Sequence, residues 1–421
     1  MKKWLKLILP VLMVLPLAFF LIQPGFADPS LDAIATQPRS RMEQIQEQQR
    51  NKAENLSPSK PDKAEHWLEK YIGENPTNKY VGGIPGLHLR LGGTPSGGGF
   101  GLGPEYLRPD LIHGNLIFRA SAISTDHLWH LIDAELRFPN IARRFVDLRF
   151  YGRRVDANSL DYYGSGPDSQ KAGHTNYRRE ENSFDFSLAL KPIGRYLKVG
   201  IISGYQWINI GRGQSSDSNS TEKQYSPKAA PGIDIQTNYL HTTPFIEVDS
   251  RDRPRDPHAG TYLLVRLSRF RDEKHDRFSF RQIDESIEHY ISFFNKKRII
   301  ALHARTVLTY PDADHVVPFY MQPTLGGGST LRGYGRYRFY DNNLFLLNAE
   351  YRWEIFTLMD AALFLDSGKV FHRDGDFDFD KLQHDAGFGF RFKTRDAVVF
   401  RLDTAFSHEG AKLWLLFDYV F

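Results

Sequence analysis

From 86 to the terminal Phe421 the chain alternates apolar and polar residues with a period of two, in segment after segment separated by turn residues. In 344–355, Phe345, Leu347, Ala349, Tyr351 and Trp353 share one face, and Asn348, Glu350, Arg352 and Glu354 share the other. The pattern recurs at 132–138, 184–190, 197–207, 388–393 and 398–406, where Arg401 and Asp403 fall on one face. Side chains of an extended strand alternate between faces, so the region reads as a long series of half-apolar strands. Two architectures remain: a soluble sandwich with the apolar face inward, or a barrel with that face toward lipid.

Periodicity does not choose between them. Three other features do. The first is a leader: Lys2, Lys3 and Lys6, an apolar stretch over 7–22, then Gly25 and Ala27 placed as a small-residue cleavage site. Residues 1–27 are therefore expected to be a signal peptide. The second is an aromatic content of 14%. The third is the last strand, which sets Leu413, Leu415, Phe417, Tyr419 and Phe421 on one face and ends on the aromatic. Beyond the leader no run of apolar residues is long enough to cross a bilayer as a helix. The expected fold is all-β, a transmembrane antiparallel β-barrel over 86–421. Residues 28–85 are polar, without alternation, and read as a periplasmic extension with marginal helices over 39–54 and 62–72.

Sixteen candidate strands can be placed, from 86–92 and 98–108 through 145–154 to 396–407 and 411–421. At roughly 21 residues per strand and connection, this suits a barrel of that size. Connection lengths give an independent check. Those after odd strands include the long ones, 155–177, 209–235, 311–342 and 372–384; those after even strands are short, as at 139–144, 191–194 and 295–296. Such barrels have short turns on one side and long loops on the other.

The sixth long-side connection carries Gly326, Gly327, Gly328, Ser329 and Thr330, then Leu331, Arg332, Gly333 and Tyr334. No lysine or helix start follows at phosphate-loop spacing, which sets aside nucleotide binding. This run, with the strand LLNAEYRWEI and then AALFLDSGKVF, resembles the BamA/TamA-type outer-membrane assembly superfamily, also called bacterial surface antigens. The stretch 248–267 resembles that family's Asp-Arg-rich periplasmic turn. The resemblance implies that the sixth loop folds inward into the lumen. It also implies that Arg332 at the loop tip contacts two wall carboxylates, here Glu350 and Asp366, and that the last strand serves as the β-signal. The family's POTRA modules, with a strand-helix-helix-strand-strand pattern, find no counterpart in 28–85, so a barrel-only member is expected.

Other chemistry is thin. The chain has no cysteine, which excludes disulfides and thiolate sites, and its 15 histidines show no metal-ligand spacing. A formal charge of +4 gives no reason to expect nucleic acid. Ser407, His408 and Glu409 sit in one tight turn and cannot converge as a triad. Asp374, Asp376, Asp378 and Asp380 form an acidic loop, read as a solvated loop or as a divalent-ion bridge to lipopolysaccharide phosphates. No enzyme activity, metal or cofactor is expected. The resemblance implies insertion or translocation of protein, or lipid, at the Gram-negative outer membrane. The partners would be membrane lipid, lipopolysaccharide and a client, with the barrel assembly machinery inserting the chain itself. A passive pore for small solutes and a structural or adhesive surface barrel are the alternatives.

Overall fold

The computed structural model describes residues 47, 48, 50, 51, 85–92, 99–356, 358–393 and 398–417. The chain divides into two units, Met1–Lys70 and Tyr71–Phe421; in the first, the described residues are helical. The expected signal peptide, nearly all of the extension, and Tyr419 and Phe421 lie outside the described residues.

Among the described residues, the second unit is built of sixteen long-range-paired strands. They are β1 Leu87–Leu91, β2 Gly101–Asp110, β3 Leu116–Thr125, β4 His130–Asn140, β5 Val146–Tyr162, β6 Thr175–Leu190, β7 Leu197–Arg212 and β8 Asn238–Asp249. Then come β9 Gly260–Asp272, β10 Phe280–Phe293, β11 Arg298–Pro311, β12 Asn343–Phe356, β13 Met359–Phe371, β14 Gln383–Lys393, β15 Val398–Ser407 and β16 Gly410–Leu416. Each pairs antiparallel with the next in sequence. The two ends of this ladder meet where Phe417 lies against Gly92 and its ring stands 5.1 Å from that of Phe100.

The two faces are inverted relative to a soluble protein. Outward positions hold exposed Ile132, Phe184, Ile246, Leu365, Phe406 and Leu413, while inward positions hold buried Asp133, Glu181, Glu288, Arg352, Arg391 and Asp403. An apolar outer belt around a charged lining is stable only where the outside is hydrocarbon.

The turns after even strands are short. Three of them, at 112–114, 142–144 and 294–296, place three consecutive residues at positive φ, each closed by an N–H to carbonyl bond three residues back. This left-handed turn follows the twist of the flanking strands. The 250–259 turn is longer and internally bonded. The Asp252 carboxylate accepts the N–H groups of His258 and Ala259 at 3.0 and 3.2 Å. Burial raises its pKa, but these bonds outweigh that and hold it below the usual carboxylate value. Arg251 bridges Asp249 and Glu288, both at 2.9 Å, above the Tyr262 ring. The carbonyl of Arg255 accepts the N–H of Val398 at 3.1 Å, so this turn reaches to the start of β15.

At the long-loop end β5 continues to Tyr162, eight residues past the expected end at 154. A bulge between Ala157 and Leu160 breaks the alternation. Beyond it Tyr162 packs with Tyr177, Tyr239, Phe278, Phe319 and Tyr340 in an aromatic core among the loops. The connection 213–237 is pinned to that core: Asn219–Ser220 adds a short parallel pair to β6, the Asn176 amide donates to the Ser218 carbonyl at 2.9 Å, and Thr221 and Ala230 are fully buried.

Candidate functional site

Residues 312–342 leave β11, fold back into the lumen and return to β12. At the base, Thr324–Leu325 pairs antiparallel with Phe339–Tyr340. At the tip the chain must reverse tightly against the wall. Gly326 adopts φ +108°, and a Cβ there would lie 2.3 Å from the Gly335 carbonyl. Gly327 also has positive φ, and its N–H bonds the Tyr334 carbonyl at 3.2 Å. Gly333 is pressed so closely on β14 and β15 that a Cβ would meet those of Asp385 and Ser407 at 2.5 and 2.9 Å. Only glycine fits such positions. Leu331 and Tyr334 are fully buried beside Leu325, Leu344, Leu346 and Val370.

Arg332, 2% exposed, is the centre of the tip. Its Nε donates to Asp366 Oδ2 at 2.7 Å, its Nη2 to Asp366 Oδ1 at 2.8 Å and its Nη1 to Glu350 Oε2 at 2.8 Å. Its backbone N–H adds a bond to Asp366 at 3.2 Å, and the guanidinium carbon lies 3.4 Å from the Phe364 ring centroid. The planar fork therefore joins two carboxylates of adjacent strands, β12 and β13, that would otherwise repel.

Around this centre the wall supplies a second tier. Arg391 donates to both oxygens of Glu350, at 3.0 and 2.7 Å, and to Asp403. Arg352 donates to Glu350 at 2.8 Å. Arg401 pairs with Asp403 at 3.4 Å and donates to the Gly328 carbonyl at 2.9 Å. All four arginines are nearly free of solvent. Burying one such pair is costly, and here Glu350 is shared among three guanidinium groups, although Nη1 and Nη2 of Arg352 find no hydrogen-bond partner among the described residues. The loop is fixed by neutral groups as well. Asn348 donates to the Thr330 carbonyl and to Asp366, each at 2.8 Å, and Trp414 Nε1 of β16 donates to the Arg332 carbonyl at 2.6 Å.

The Ser407-His408-Glu409 turn clasps the same loop. Ser407 Oγ donates to the Gly333 carbonyl at 2.8 Å, His408 Nδ1 pairs with the Tyr334 hydroxyl at 3.0 Å, and Glu409 takes Arg338 at 2.7 Å. In the connection 372–382, Asp378 pairs with Lys369 of β13, and Phe377 stacks edge-on against Phe345 outside the wall. Leu413 and Leu415 are exposed on the outward face of β16.

The structure thus places Arg332, Glu350 and Asp366 in one cluster with the triglycine turn beside them. Sequence reasoning did not assign Arg391, Arg401, Asp403 or Trp414 to it. Their inward parity was a readable signal, but which strands face the loop tip depends on register across four strands.

Two solved structures share the architecture: BamA from Haemophilus ducreyi lacking POTRA domains 1–3, at 14% identity and a TM-score of 0.57, covering 78% of this chain and 66% of that one, and CdiB from Escherichia coli, at 13% and 0.50, covering 79% and 60%. The chain thus spans less than two thirds of either. No curated protein sequence matches it. The Omp85 superfamily domain matches residues 139–411, well over half the chain. This chain belongs to the Omp85 superfamily.

Proposed function

We propose that this barrel inserts or translocates protein, or lipid, at the Gram-negative outer membrane, with the lumen held shut by the sixth loop and the passage opened at the junction of β1 and β16. One observation carries the reading. The loop tip is bonded both to the wall strands β12–β15 and, through Trp414, to β16, the strand at which the ladder ends. A plug fixed to the closing strand senses whether that strand has moved. A passive pore needs no such link. The strand on the other side of that junction, β1, is only five residues long, Leu87–Leu91, and so offers a short pairing edge.

The test exploits the absence of cysteine from the sequence. A Cβ on Gly92 would stand 2.9 Å from that of Phe417, nearer than the roughly 3.5–4.5 Å of a disulfide, so the two backbones need only part slightly for the bond to form. In Gly92→Cys/Phe417→Cys, oxidation should stop outer-membrane delivery of the client barrels or lipids that are lost on depletion of the protein, and reduction should restore it. Undiminished delivery by the oxidised form would reject the proposal.

A further inference from the structure

The sixth loop divides the lumen. Thr324 and Tyr337 line a cavity on each side, one of about 240 Å³ toward β5 and β6 and one of about 580 Å³ toward β9–β11. The larger is chemically asymmetric. On one wall Arg305 takes Asp284 through Nε at 3.0 Å and Nη2 at 3.2 Å, and Arg266 takes the same carboxylate at 3.3 Å. Glu288, also in the lining, is already committed to Arg251 and Tyr290 at 2.9 and 2.8 Å. From the loop comes Arg336, half-buried, which contacts the His127 ring at 3.0 Å and lies 5.2 Å from the Trp414 ring. Among the described residues no carboxylate pairs with Arg336. Two guanidinium groups thus share one acid, and a third has none. Away from that wall, where the two ends of the ladder meet, the lining is apolar, formed by Phe100, Leu416 and Phe417.

We infer that this cavity binds a phosphate-bearing anion, held by Arg266, Arg305 and Arg336. An excess of planar forks in a partly desolvated chamber is complementary to a group with several charged oxygens. The apolar side fits a phospholipid with the phosphate on the arginines; free phosphate would use the arginines alone. The inference does not depend on what the barrel delivers.

Binding is measured on the detergent-purified full chain by native mass spectrometry and calorimetry. The probes are dihexanoyl phosphatidic acid, dihexanoyl phosphatidylcholine and inorganic phosphate. Phosphatidic acid is expected to bind, and both Arg266→Gln/Arg305→Gln and Arg336→Gln should weaken it about tenfold or more. Arg143→Gln, in an exposed short turn, should not. Retained heat-modifiable mobility shows that each variant is folded. Phosphatidic acid much tighter than phosphate identifies a lipid headgroup as the occupant; equal affinities identify free phosphate, with the site intact in both cases. Binding of neither anion, binding unmoved in both folded variants, or phosphatidylcholine binding as tightly as phosphatidic acid would overturn the inference.

Discussion

The two ends of the sixth loop are held by opposite chemistry. At the tip, Arg332 is fixed by directional, charge-assisted bonds to Glu350 and Asp366 inside a ring of three further arginines. At the base, Phe319 and Tyr340 sink into a cluster of tyrosines and phenylalanines, with ring centroids of Tyr162 and Phe319 at 4.9 Å and of Tyr162 and Tyr340 at 5.0 Å. Aromatic packing is tolerant of direction and anchors by area. An ion network buried this fully tolerates little displacement, because each separated charge loses its partner. The difference suggests a division of labour. On the proposed function, the base would keep the loop attached to the barrel while the tip is released and re-engaged.

Replacement at the tip should have the largest effect. Arg332→Ala leaves Glu350 and Asp366 buried without their bridge, at a cost of about 3–5 kcal/mol. Urea unfolding followed by tryptophan fluorescence in detergent should report it. Arg332→Lys should recover only a minor part, because an ammonium cannot span both carboxylates as a fork. Full recovery would mean that charge alone holds the tip. At the base, Phe319→Ala should cost about 3 kcal/mol. It should also raise proteolysis across the whole loop, whereas Arg332→Ala should expose the tip alone. If the two variants gave the same cleavage pattern, the division between anchor and switch would fail.

Most of the wall was readable from alternation. β12 and β13, at Asn343–Phe356 and Met359–Phe371, fall where the pattern places them. β5 was cut short, because Asp156, Asn158, Ser159 and Asp161 around its bulge resemble a polar loop. The connection after β7, rich in Ser and Asn, carries no sequence sign of its anchoring, yet Asn176 and the buried Thr221 pin it. The candidate site was legible in part. Arg332 and its two acids came with a family resemblance. The wider ring was only partly legible: Arg401 and Asp403 share a face of β15 two residues apart, but Arg391 reaches Glu350 and Asp403 only through cross-strand register.

Smaller effects refine the picture. Trp414→Phe keeps the ring but removes the bond to the Arg332 carbonyl, a loss of about 1 kcal/mol. It should loosen the tip's link to β16 without exposing the loop base, as read by hydrogen exchange. On the far side of the barrel, the Asp252 carboxylate is held below its ordinary pKa by backbone N–H groups. A depressed carboxylate stabilises the fold above its unfolded pKa, and that contribution disappears as pH falls through the folded value. The excess thermal stability of the wild type over Asp252→Asn should therefore be full above about pH 5 and shrink steadily below about pH 4. A difference independent of pH would place the turn's stability elsewhere.

Planar-bilayer conductance of the wild type beside Arg332→Ala bears most directly on the claim that the ion cluster keeps the lumen closed. The wild type should show small, flickering currents, and the variant, still folded by heat-modifiable mobility, a severalfold larger and steadier conductance. A large, steady wild-type conductance that Arg332→Ala leaves unchanged would contradict the account.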